Sequence, residues 1–149
     1  MAENQKKIWI TGASSGIGKA LAEKFALEGW KVAVSARRKE ILDKMSNHEN
    51  IFSYPLDVTM QDQIKENFSK IINDFGNIDL CVFSSGTYDP KLEQGINIQQ
   101  NKFVMETNFF GVLYCIKAVE KYFKEKKQGH ISIVSSIAAY RGLPNSSGY

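Results

Sequence analysis

The stretch Thr11-Gly12-Ala13-Ser14-Ser15-Gly16-Ile17-Gly18 decides how this chain folds. Before it comes Ile8-Trp9-Ile10, a short apolar run that reads as a strand. After it, Ala20, Leu21 and Phe25 continue a helical spacing from Ile17 until Gly29. A strand that passes through a glycine-rich turn into a helix is a phosphate cradle. Gly12 permits the tight turn, Gly16 lets the backbone approach a pyrophosphate, and Gly18 lets the helix pack on the strand. The helix N-terminus presents unpaired N–H groups and partial positive charge to an anion. Ser14, Ser15 and Ile17, in the same turn, are expected to bind the cofactor as well. A flexible loop of small residues is the alternative, and the flanking strand and helix favour a dinucleotide site over it.

Outward from that turn, short apolar runs alternate with amphipathic segments. Val32 to Val34 reads as a second strand, followed by a weak helix near residues 39–46 and a third strand from Ile51 to Leu56. Ile64, Phe68, Ile71, Ile72 and Phe75 mark a helix closed by Gly76. Ile78 to Phe83 is apolar almost throughout, as a strand covered on both faces should be. A loop from Gly86 to Gln100 precedes one long helix, from about Asn101 to Lys127, and Ile131 to Val134 is the fifth strand. Strict alternation of strands and helices implies α/β architecture: a Rossmann-type doubly wound parallel sheet of about five strands. Residues 1–149 are read as one such domain.

Composition narrows the function classes. The 149 residues are 43% hydrophobic and 23% charged, enough apolar material for one core. Nine Phe, six Tyr and two Trp spread among the charges argue against disorder. The net charge of +3 is too weak and dispersed for nucleic acid. No apolar run approaches the roughly 20 residues of a membrane span. The N-terminus has no signal-peptide pattern, and Cys81 and Cys115 sit in apolar surroundings without metal-ligand spacing. A cytoplasmic location with reduced, buried thiols is expected, with no metal site.

The glycine spacing TGxxxGxG at 11–18 resembles that of the short-chain dehydrogenases/reductases. Further matches follow in that family's order: Asp57-Val58 after the third strand, Asn108 in the long helix, Ser135-Ser136 after the fifth strand. Tyr149 comes 13 residues after Ser136, the family's usual separation. The resemblance covers the chain from residue 7 onward. It implies hydride transfer between a nicotinamide and a carbonyl or alcohol carbon. Tyr149 would be the general acid/base, Ser136 would orient the substrate oxygen, and Asn108 would hold a water on the proton path. Asp57 would accept from the adenine amino group, with Val58 beside it. A bare turn before the next helix explains Asp57 equally well.

Two departures from the family pattern stand out. After the fourth strand the family has Asn-Asn-Ala-Gly, whereas this chain reads Ser84-Ser85-Gly86. These small residues keep room for a cofactor, and a serine hydroxyl is expected to take over part of the missing amide bonding. The family's Tyr-x-x-x-Lys motif would place its lysine beyond Tyr149, so the chain reads as an N-terminal portion and by itself as inactive.

Cofactor choice turns on the end of the second strand, Val34-Ser35-Ala36-Arg37-Arg38. NAD sites carry an acid there for the ribose hydroxyls. Ala36 occupies that position, and the Arg37-Arg38 pair suits a 2′-phosphate through charge-assisted bonds. NADP is therefore expected over NAD, with Arg37, nearer the strand end, outweighing Arg38. The resulting expectation is an NADP-dependent oxidoreductase acting on a small carbonyl or secondary alcohol, dimeric or tetrameric at full length. The alternative is a protein of the same fold that binds NADP without turning it over.

Overall fold

The computed structural model describes residues 5–88, 96–142, 144 and 147–149. Its elements alternate: β1 (Lys7–Thr11), α1 (Gly16–Leu27), β2 (Lys31–Ser35), α2 (Lys39–Met45), β3 (Ile51–Ser53), α3 (Gln61–Phe75) and β4 (Leu80–Phe83). Then come α4 (Ile98–Met105), a π-helical turn (Glu106–Phe110), α5 (Gly111–Lys126), β5 (His130–Ile133) and a short 3₁₀ turn (Ile137–Ala139). The strands form a single parallel sheet in the order β3-β2-β1-β4-β5. This is the Rossmann-type fold expected from the alternation.

Successive strand residues face opposite sides, and the core splits accordingly. Ile8, Ile10, Val32, Val34 and Val82 pack with Ala22 and Ala26 of α1 and Leu42 and Met45 of α2. Trp9, Ala33, Cys81 and Phe83 pack on the other side with Ile64, Phe68 and Ile71 of α3 and Cys115 and Val119 of α5. Trp9 is fully buried between Phe68 and Phe83. Its indole N–H would be costly there without a partner, and it donates to Ser35 Oγ at 2.9 Å. Both cysteines are free and buried, and burial pushes the Cys115 thiol up to about 12. Among the described residues no helix is long and apolar enough to cross a membrane, and no group of three or more potential metal ligands forms.

Element ends depart from the sequence expectation where local chemistry intervenes. The third strand stops at Ser53 rather than Leu56. Tyr54 and Leu56 still donate to β2-side carbonyls of Val34 and Ala36, but Pro55 between them has no N–H for the ladder. The expected loop to Gln100 ends early, because Asn97 caps α4 by accepting from the Gln100 N–H at 3.0 Å. Asn97 with Gln100 three residues on is a capping-box spacing visible in the sequence. The expected single long helix is interrupted by the π turn that holds Thr107 and Asn108. Residues 89–95 of that loop lie outside the described residues.

Candidate functional site

Every strand runs the same way, so their C-terminal ends open on one side, and the chain reverses direction across the sheet between β1 and β4. A crevice at that reversal is where parallel sheets bind ligands. The structure has a cleft of about 460 Å³ there. The turn after β1 contributes Gly12, Ser14, Ser15, Gly16 and Ile17; the end of β2 contributes Ala36, Arg37 and Arg38. From β3 come Leu56, Asp57 and Val58, and from β4 Ser84, Ser85, Gly86, Thr87 and Tyr88. Thr107, Val134, Ser135 and Tyr149 complete the wall.

The glycines divide the labour of the turn. Gly12 has φ +68°, and a Cβ on it would stand 2.5 Å from the Ser84 carbonyl oxygen. Gly18 does not line the cleft; a Cβ there would meet the Gly12 carbonyl oxygen at 2.5 Å, so it lets α1 close on the turn. Gly16 has φ +53° with nothing within 4 Å of a Cβ position, an open cradle on the cleft side. Ser15 is the N-cap of α1 and makes no side-chain cap bond, which leaves the first N–H groups of the helix to a ligand. Gly16→Ala is therefore expected to cost only about 1–2 kcal/mol of stability from its left-handed backbone. The added methyl would nevertheless obstruct a phosphate, so dinucleotide affinity should fall sharply. Paired urea unfolding and fluorescence titration check this, and unchanged affinity would refute the cradle.

The two arginines part company. The Arg38 guanidinium folds over the turn, donating to Ser14 Oγ at 2.9 and 3.1 Å and to Ser15 Oγ at 2.7 Å. Arg37 is exposed at the cleft wall, and its guanidinium makes no hydrogen bond to another described residue. Asp57 does begin a turn: its Oδ1 accepts from the Thr59 N–H and hydroxyl, both at 2.9 Å. It also lines the cleft beside Val58. Those two positions therefore serve the local turn and the cleft wall together.

The expected replacement bonding by serine is not found. Neither Ser84 nor Ser85 makes a side-chain hydrogen bond to a described residue, and Thr11 Oγ1 is buried without a partner among the described residues. Backbone contact between Gly12 and Ser84 joins the two turns instead. The β4 exit is held from the other side by Asn108, which lies behind the lining. Its Oδ1 accepts from the Thr87 N–H at 2.7 Å, and its Nδ2 donates to the Thr87 carbonyl at 2.8 Å. This two-point clamp sits in the π turn, where an extra residue turns the side chain out of helical register. Gly111 one turn later admits Val58, whose Cγ2 is 2.8 Å from a Cβ position.

Ser136 caps the 3₁₀ turn, its Oγ accepting from the Ala138 N–H at 3.2 Å, while Ser135 faces the cleft. Tyr149 lines the cleft and pairs with Tyr88, ring centroids 4.8 Å apart. The sequence reading left Leu56, Thr87, Tyr88, Thr107, Val134 and Ser135 out of the site. Val134 and Ser135 come immediately after β5, and that position at a strand end is the signal that would have found them.

The short chain dehydrogenase family model matches residues 6–149. A dehydrogenase/reductase SDR family protein 7-like of Dictyostelium discoideum is 36% identical over 92% of this chain and 47% of its own length. An uncharacterized oxidoreductase of Staphylococcus saprophyticus is 34% identical over 97% of this chain and 60% of its own length. The chain thus spans about half the length of the curated relatives it matches. Among solved structures, ElxO with NADP bound superposes with TM-score 0.88 at 30% identity, covering 95% of this chain and 60% of that one. Serine dehydrogenase from Escherichia coli gives TM-score 0.87 at 26% identity, covering 96% and 68%. With the ordered motifs, the parallel sheet and the cleft at its reversal point in agreement with these likenesses, the chain belongs to the short chain dehydrogenase family.

Proposed function

We propose that the full-length protein is an NADP-dependent oxidoreductase acting on a carbonyl or secondary alcohol. The observation that carries the reading is the composition of one cleft: an open glycine cradle, two guanidiniums without an acid at Ala36, and the Tyr149 phenol beside that of Tyr88 share it. The solved relative ElxO with NADP bound supports the same cofactor class.

The pyrophosphate would lie against Gly16 and the N–H groups of α1, and Arg37 would meet the 2′-phosphate, with Arg38 holding Ser14 and Ser15 in place. Asp57 and Val58 would flank the adenine, and Ser84, Ser85 and Gly86 leave the floor of the cleft low. When bound, NADP(H) supplies the hydride. Tyr149 would give or take the proton at the substrate oxygen; Ser136, which caps the 3₁₀ turn through its oxygen and keeps its own hydroxyl proton, would turn that proton toward the substrate oxygen; and Asn108 would fix the loop that carries Thr87 and hold a water on the proton path.

Exposed Phe103, Phe109, Phe110 and Leu113 along α4, the π turn and α5 support a dimer or tetramer. The buried thiols fit a reducing, cytoplasmic setting.

The full-length protein is expected to bind NADPH well over NADH in fluorescence titrations. Arg37→Ala should weaken NADPH by about 1.5–3 kcal/mol, roughly 10- to 150-fold, the scale of a lost charged hydrogen bond. NADH affinity should stay nearly constant. Equal affinity of the wild type for the two cofactors would overturn the NADP assignment, and a parallel loss for both in the variant would mean damage to the turn.

A further inference from the structure

We infer that Tyr88 is a specificity-determining residue whose ring forms an aromatic wall beside Tyr149, selecting carbonyl substrates that carry a flat aromatic group next to the reacting carbon. The inference deepens the oxidoreductase reading of the cleft and rests on it.

Three observations carry it. Tyr88 and Tyr149 line the same cleft with ring centroids 4.8 Å apart and planes inclined by 45°. A pair inclined in this way leaves part of each ring face uncovered. Tyr88 is 40% exposed, so its ring is not consumed by core packing.

The wall is also anchored from behind. Thr87, the residue before Tyr88, is held at both backbone polar groups by Asn108. A loop residue adjacent to a two-point clamp has little freedom to swing away. Tyr149 is seated from the opposite side: Gly148 approaches α4 so closely that a Cβ would lie 2.9 Å from the Asn101 Cα, and Ser147 Oγ bonds Asn101 Oδ1 at 3.1 Å. Both phenols are thus placed by contacts outside the pair, and the pair itself faces the cleft. A substrate oxygen within reach of the Tyr149 hydroxyl brings its neighbouring substituent against Tyr88. An aryl group gains ring contact there, whereas a short alkyl group covers little of it.

The test compares acetophenone and 2-butanone as substrates of the full-length protein with NADPH. Tyr88→Ala is expected to lower kcat/KM for acetophenone roughly 10-fold more than for 2-butanone, with NADPH affinity unchanged. Tyr88→Phe should keep the wild-type ratio, because the ring and not the hydroxyl provides the contact. Equal losses on both ketones would mean that the ring only supports Tyr149, and would overturn the inference. So would a wild type that binds NADPH and shows no preference for the aryl ketone or reduces neither ketone. A wild type that binds no NADPH would instead remove the cofactor reading itself, in the titration that precedes the kinetics.

Discussion

Tyr149→Phe in the full-length protein is expected to lower kcat by about 10²–10⁴-fold, the usual scale of positioned proton transfer, while NADPH affinity stays within about twofold. The cleft holds few groups able to do this work. Arg37 and Arg38 do not deprotonate in proteins, and Arg38 is already committed to Ser14 and Ser15. Asp57 is committed at Oδ1 to Thr59. Tyr88 presents a second phenol beside Tyr149, which makes it the informative control. If Tyr88→Phe abolished turnover and Tyr149→Phe did not, the proton donor would have been assigned to the wrong member of the pair. Deletion of the Tyr149 hydroxyl removes no ring contact, so cofactor affinity and the unfolding midpoint should hold. A collapse of either would show a structural role.

Gly12→Ala should be far more damaging to the fold than Gly16→Ala. The Gly12 φ of +68° is a left-handed conformation that costs a residue with a Cβ about 1–2 kcal/mol. The methyl would then stand 2.5 Å from the Ser84 carbonyl oxygen, 2.6 Å from its carbon and 2.7 Å from the Ser85 nitrogen. Those are backbone atoms at the end of a central strand and cannot rotate aside. Overpacking adds about 1–3 kcal/mol, so the sum is about 2–5 kcal/mol, a large share of a typical domain's stability. Urea unfolding should show the midpoint falling well below that of Gly16→Ala, which meets no atom within 4 Å of its Cβ position. Equal destabilisation of the two variants would contradict the contact between the β1 and β4 exits.

What the sequence by itself determined follows from short-range rules. Ile8 to Ile10, the glycines at 12, 16 and 18, and the helical spacing from Ile17 specify a strand, a phosphate turn and a helix through local backbone freedom and period alone. The same rules located α3 by Ile64, Phe68, Ile71 and Phe75, and the repeating alternation implied parallel strands with helices on both faces. They also marked Ala36 with Arg37 and Arg38 as the place where a 2′-phosphate would be read.

Only the tertiary structure decided where side chains meet across the chain. Asn108 clamps Thr87, 21 residues away, because the order β1-β4-β5 carries the β4 exit past the π turn. Trp9 finds Ser35 on the adjacent strand, whereas the buried Thr11 hydroxyl finds no partner among the described residues. Ser135 faces the cleft while Ser136 turns to cap the 3₁₀ helix, a difference of one residue that motif spacing does not resolve. Tyr88 meets Tyr149 because two loops converge at one end of the sheet. Periodicity encodes which face of an element is apolar; which distant group a polar or aromatic side chain touches depends on how the elements are ordered and packed, and that is a property of the assembled sheet.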